Sequence, residues 1–152
     1  MRTRLAFPLL ALAVAATAVA CTPGPTPTGG FDADTAASLN AQRADAGLGP
    51  LAWDGRLAGT AQQWADHLAT IGTLVHEDLN GLLAGGLAGF ASLRENLEQN
   101  YPSASGAAVV ALWMGSPPHR ANLLSPTVDA VGVGSAMDGA GRLFVVALFG
   151  AR

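Results

Sequence analysis

The chain is expected to fold as an α+β domain in which helices cover a small antiparallel sheet. Three observations lead there. Behind Asp54, the residues Leu57, Ala61, Trp64, Leu68 and Ile71 recur at spacings of three and four, the stripe of one buried helical face. Two β-rich runs, Ala130–Met137 and Arg142–Phe149, flank Asp138-Gly139-Ala140-Gly141, which is a hairpin signal. Helices first and strands last is the order of an α+β fold. At 152 residues and 50 % hydrophobic, the chain is the size of one domain and too apolar to be disordered throughout.

The elements follow in order from local chemistry. Asp34 is the expected cap of a first helix running to about Ala46, with Ala37, Leu39 and Ala44 inward and Gly47 as its stop. Gly49-Pro50 turns the chain, Asp54 caps the second helix, and Gly72 ends it. Gly81–Gly89, glycines among leucines, reads as an irregular apolar loop. A third helix is expected over Ser105–Met114, with Val109, Leu112 and Trp113 available for burial. Ser116-Pro117-Pro118 ends that helix and opens another short turn. Trp53, Trp64 and Trp113 are expected in the core, while Asp66 and His67 are expected on a solvated helix face.

The N-terminus reads as an address. Arg2 and Arg4 precede an apolar run from Leu5 to Val19, the pattern of a secretory signal over residues 1–20. The run is shorter than the ~20 residues a membrane-spanning helix needs. Ala18-Val19-Ala20-Cys21 resembles a bacterial lipobox, in which Cys21 would carry the lipid; ordinary cleavage leaving an incidental thiol is the alternative. Cys21 is the single cysteine, so no intramolecular disulfide, cysteine zinc cluster or thiol nucleophile is expected. Residues 21–30, rich in Pro, Gly and Thr, read as a tether, and the domain proper as residues 31–152. That domain carries six arginines against eleven acids. Its charge disfavours nucleic acid as a partner, and electrostatic attraction to anionic headgroups as the anchor.

Five segments together resemble one family. Leu39–Asp54 is similar to the opening helix and turn of bacterial CAP domains, the SCP-like relatives of cysteine-rich secretory proteins, antigen 5 and plant pathogenesis-related 1 proteins. Trp64-Ala65 with Gly72–His76, Glu95-Asn96-Leu97, Trp113–Leu124 and Val131–Gly134 continue the resemblance in order. It implies an α-β-α sandwich and a cleft formed by two histidines and two acids. By motif the matching residues are His76, Glu95 and His119, with Asp129 as the fourth. Arg94 stands where the family has a glycine before the glutamate, and Asp129 where many bacterial members have a glutamate or another polar residue.

Such a cluster admits more than one chemistry. The imidazoles of His76 and His119 could ligate Zn²⁺ or another divalent metal, with a carboxylate fixing the far ring nitrogen. The same groups without metal could act as general base and acid. Yet there is no Gly-x-Ser-x-Gly elbow, no His-Glu-x-x-His helix and no cysteine in the domain, and Ser116 reads as a helix-end cap. Glu95 could instead pair with Arg94 or Arg120, and Asn96 and Asn122 are expected to bond loop backbone. The apolar residues of Leu79–Phe90 either pack on the domain or line a groove for acyl chains or sterols, which some eukaryotic CAP proteins bind; packing is the expectation. The expected protein is therefore an exported, lipid-anchored CAP domain that binds a small lipid, an envelope component or a protein partner. A hydrolase acting on envelope substrates and a non-catalytic structural module are the competing readings.

Overall fold

The computed structural model of the chain describes residues 30–101 and 104–152. The expected signal segment, Cys21 and the tether up to residue 29 lie outside the described residues. In chain order the elements are α1 (Phe31–Asp45), β1 (Ala52–Trp53), α2 (Gly55–Ile71), α3 (Leu79–Ala84), β2 (Ser92–Asn100), α4 (Gly106–Gly115), α5 (Pro117–Leu123), β3 (Ala130–Met137) and β4 (Leu143–Ala151). The sheet order is β1-β3-β4-β2. Three strands pair antiparallel, and two-residue β1 adds to β3 in parallel.

Alternation along the strands divides the core in two, as a sheet covered on both faces requires. Val131, Val133, Val145, Ala147 and Phe149 pack against Leu39 of α1, Val109, Val110 and Trp113 of α4 and Leu123 of α5. Ala130, Phe144, Val146, Leu148, Leu93 and Leu97 pack against Leu57, Ala61, Ala65 and Leu68 of α2, together with Leu87 and Phe90. The result is the three-layer α-β-α sandwich expected above.

Local signals place some ends and miss others. The Asp54 carboxylate accepts from the Arg56 and Leu57 amides, and Gly72 at φ 70° closes α2, both as expected. α1 begins three residues before Asp34, with Gly30 in the cap position, so Asp34 sits in the first turn and favours the positive helix end by charge alone. Ala37 and Ala44, expected inward, are exposed; Ala33, Ala36, Leu39 and Arg43 form the buried face. Alanines scattered around a helix carry too little hydrophobic contrast to choose its face. Ile71 and Leu112 likewise end up exposed.

Two further corrections concern the middle of the chain. Part of the expected irregular loop is α3, capped by the Asp78 carboxylate accepting from the Gly81 amide. Leu87 and Phe90 are buried and Leu79, Leu82 and Leu83 pack against the same cluster, so these side chains belong to the core. β2 had no expected counterpart, because buried Glu95 and Asn96 interrupt the apolar alternation that would announce it.

Val131–Gly134 has a steric meaning. A Cβ added to Gly132 would overlap the backbone of Leu57 and Ala58, and one added to Gly134 would overlap that of Ala61 and Gln62. α2 therefore lies directly on the β3 backbone. Gly132→Ala and Gly134→Ala should each destabilise the domain by at least ~3 kcal/mol, since the clash is with main chain that no rotamer change relieves. Gly139→Ala, where a Cβ meets open space, should stay within ~0.5 kcal/mol. Denaturant unfolding of the three variants checks the contrast.

Candidate functional site

β2 is an edge strand, and three of the four expected site residues gather around that edge from both faces of the sheet. Leu93, Glu95 and Leu97 point to the α2 side, and Glu95 buries its carboxyl there, its side chain 2 % exposed. His76 arrives from the segment after α2, held in place by the Trp64 indole, whose Nε1 donates to the Val75 carbonyl at 3.1 Å. Nδ1 of His76 then lies 2.5 Å from Glu95 Oε2. When the carboxylate is ionised it is the acceptor and Nδ1 carries the proton; Nε2 has no hydrogen bond among the described residues, on a side chain that is 70 % exposed.

His119 comes from the opposite face. Asn96 is fully buried on the α4–α5 side and donates to the His119 carbonyl at 3.0 Å. Asn122 on α5 donates to the Glu95 carbonyl and to Asn96 Oδ1, both at 3.0 Å. Both asparagines bond backbone as expected, but that of α5 and β2 rather than of a loop. With the Trp113 indole donating to the Leu97 carbonyl at 3.1 Å, these bonds also occupy carbonyls on the outer side of β2. An otherwise open sheet edge is thereby closed. Burial and the charge of nearby His76 hold the His119 imidazole below its ordinary 6.5, favouring the neutral ring.

Asp129 does not join these three. Its carboxylate accepts from the Arg152 guanidinium at 2.9 Å, and Arg152 also reaches Asp54 at 2.8 Å and lies over the Phe90 ring. By sheet register its Cα is about 14 Å from that of Glu95: two strand spacings of ~4.8 Å and three residues at ~3.3 Å. Glu95 pairs with His76, so neither Arg94 nor Arg120 takes it; Arg94 reaches Asn122 Oδ1 at 3.4 Å. His67 is exposed and stacks on Trp64.

The carboxyl that does meet Glu95 is that of Glu77, which the sequence reasoning missed. Its position next to His76 was the available signal. Burial, the charge of Glu95 and that of Asp78 push Glu77 up to about 7 from an ordinary 4.5. Burial also raises Glu95, opposed by its bond to His76, the charge there and the Glu77 backbone amide beside the carboxylate. Among the described residues, the buried side-chain polar atoms without a hydrogen-bond partner are Glu95 Oε1, Glu77 Oε2 and Arg94 Nε. The buried polar deficit of the fold is thus concentrated in three residues around one site, where such atoms call for a bound partner or water.

The described residues offer a metal no complete protein coordination shell. No three or more His, Cys, Asp or Glu side chains among them are placed to hold an ion, while the His76–Glu95 bond leaves Nε2, the nitrogen a metal would take, available. Two imidazoles alone would leave most of a zinc coordination shell to water. The expected Zn²⁺ ligation by His76 and His119 therefore enters no step below.

The sequence profile of the cysteine-rich secretory protein family, CAP, matches residues 37–149. The chain belongs to the CAP family. Solved structures of similar fold include an outer surface protein of Borrelia burgdorferi, 23 % identical with a TM-score of 0.66 over 77 % of this chain and 89 % of that one. Venom allergen-like protein 4 of Schistosoma mansoni is 17 % identical, TM-score 0.66, over 82 % and 90 % of the two chains. An extracellular SCP-domain protein of Bacillus anthracis is 26 % identical, TM-score 0.64, over 75 % of this chain but only 38 % of its own. A comparison with curated proteins finds no match. Among the described residues of this CAP domain no helix is long and apolar enough to cross a membrane.

The Glu77 environment has a signed consequence for stability. Between its ordinary value of 4.5 and about 7 the folded protein holds a proton that the unfolded chain has lost. This contribution is fully present below the lower value and disappears as pH rises through the upper one. Glu77→Gln should therefore melt a few degrees above wild type at about pH 8, and the gap should close by about pH 4. His119 acts in the opposite sense below its ordinary value but is common to both proteins. Thermal melts of the pair across this range measure the difference.

Proposed function

We propose that this CAP domain is an exported, envelope-anchored binding protein whose ligand sits over His76, Glu77, Glu95 and His119. The observation that carries the reading is the pair of buried carboxyl oxygens, Glu77 Oε2 and Glu95 Oε1, without a hydrogen-bond partner. They call for a ligand with hydroxyl or amine donors, and the free Nε2 of His76 adds an acceptor beside them. Ile71, Leu74 and Val75, all exposed just before His76, offer an apolar rim. A donor-bearing head on the carboxyls with an apolar part along this rim describes a small amphiphilic envelope lipid better than a soluble sugar. Export and anchoring rest on the leader of residues 1–20 and on Cys21 as the lipidated residue. The extracellular and outer-surface descriptions of the Bacillus and Borrelia proteins are consistent with export.

Binding is favoured over hydrolysis because, among the described residues, no serine or threonine hydroxyl is bonded to His76 or His119. The His76–Glu95 pair could activate a water in a metal-free hydrolase, so the test must separate the two. Residues 31–152, with and without His76→Ala/His119→Ala, are to be sedimented with vesicles of phosphatidylethanolamine and phosphatidylglycerol and assayed for hydrolysis of the same lipids and of cell-wall peptides. Binding that falls at least ~10-fold in the double variant, with its melting temperature held, is the expected result. Turnover abolished by the same substitutions would replace the binding reading by the hydrolase. In the full-length protein, mass spectrometry should find the mature chain beginning at an acylated Cys21, and Cys21→Ser should release it from the membrane fraction.

A further inference from the structure

The opposite edge of the sheet holds a cavity. β1 is only two residues long and pairs with Ala130 and Val131, so among the described residues the outer edge of β3 beyond them has no strand neighbour. The Gln62 side chain substitutes for one at Ser135, its Nε2 donating to the Ser135 carbonyl at 2.9 Å and its Oε1 accepting from the Ser135 amide at 3.2 Å. Between these points lies a cavity of about 330 Å³, lined by Phe31, Asp32, Trp53, Gln62, Val133 and Ser135 among others. That volume suits a small ligand, at the lower end of the usual range.

The lining is chemically asymmetric. Two aromatic side chains, Phe31 and Trp53, share the cavity with one carboxylate, Asp32. Asp32 Oδ1 accepts from the Ser135 hydroxyl at 2.7 Å; among the described residues Oδ2 has no hydrogen bond, and no arginine or histidine forms an ion pair with Asp32. Burial raises the Asp32 carboxyl above its ordinary 3.8 in spite of the Ser135 bond. A half-buried anion beside aromatic rings, without a cation among the described residues, is the environment that takes an organic ammonium group: the rings attract the cation through their quadrupoles and the carboxylate supplies the counter-charge. From this geometry we infer that the Phe31–Asp32–Trp53 cavity binds a small organic ammonium ion, distinct from the ligand over His76 on the far edge of the sheet.

Trimethylammonium groups occur on free solutes and on lipid headgroups, and the experiment separates the sources. The full chain is titrated calorimetrically with choline and with 3,3-dimethylbutan-1-ol, which has the same shape without the charge. Asp32→Asn, which keeps an acceptor for Ser135, and Trp53→Leu are titrated alongside. The expected result is saturable choline binding in the millimolar range or tighter, weakened at least ~10-fold by either substitution, and no saturable binding of the uncharged alcohol. Displacement of bound choline by phosphatidylcholine vesicles, but not by phosphatidylglycerol vesicles, would assign the ammonium to a lipid headgroup; no displacement would assign it to a free solute. No choline binding, equal binding of the alcohol, or binding unchanged in Asp32→Asn would each overturn the inference. The His76→Ala/His119→Ala protein should bind choline normally, which keeps this site separable from the other.

Discussion

The close approach of α2 to β3 is the constraint on which the rest of the molecule depends. With hydrogens at Gly132 and Gly134 where side chains would stand, the helix backbone rests on the strand backbone. That contact sets both the height and the direction of α2 above the sheet. The Gly72 stop then falls at a fixed place, and the chain leaves toward β2. Trp64, still on α2, ties the departing segment down at Val75, so His76 reaches Glu95 from a helix whose position the glycines have fixed. A rise of α2 by the thickness of one methyl group would carry the imidazole away from its partner.

The opposite layer fixes the other half of the site by hydrogen bonding. Asn122, Asn96 and Trp113 close the outer edge of β2, and the same bonds hold the His119 backbone and the Glu95 carbonyl. Edge protection and site construction therefore share one set of side chains. α5 is in turn held at its far end by Arg43, a buried arginine that donates to the carbonyls of Gly49, Leu123 and Ser125. Three charge-assisted bonds to backbone offset the desolvation of a guanidinium without a carboxylate partner. This network couples the end of α1 to the α5 exit and so to His119.

Acids do different work at the two ends of the molecule. Asp54 and Asp129 meet Arg152 in a surface cluster that fastens the C-terminus below β1, an arrangement of small energetic worth in water. Glu77 and Glu95 lie in poorer solvent with no arginine bonded to them among the described residues; burial raises both, and the charges of Glu95 and Asp78 raise Glu77 further. The proposed binding site is therefore placed at the carboxyl pair and not at the ion-pair cluster.

The sequence by itself determined the elements whose chemistry is local. Asp54 and Gly72 bound α2 because a carboxylate cap and a left-handed glycine act within a turn of the chain. Asp138–Arg142 makes the hairpin, and the ordered motifs around His76, Glu95 and His119 were enough to indicate the CAP family and three residues that the fold brings to the edge of β2. Tertiary structure alone decided the rest. β2 was illegible because its buried Glu95 and Asn96 are polar, and only partners brought from α5 and the segment after α2 make their burial tolerable. Asp129 was placed by Arg152, 23 residues away, and Glu77 became a site residue only when the fold set it against Glu95. Capping and turns are read from neighbours in sequence, whereas the choice of which acid joins the histidines depends on strand register and sheet order, for which a single sequence carries no local signal.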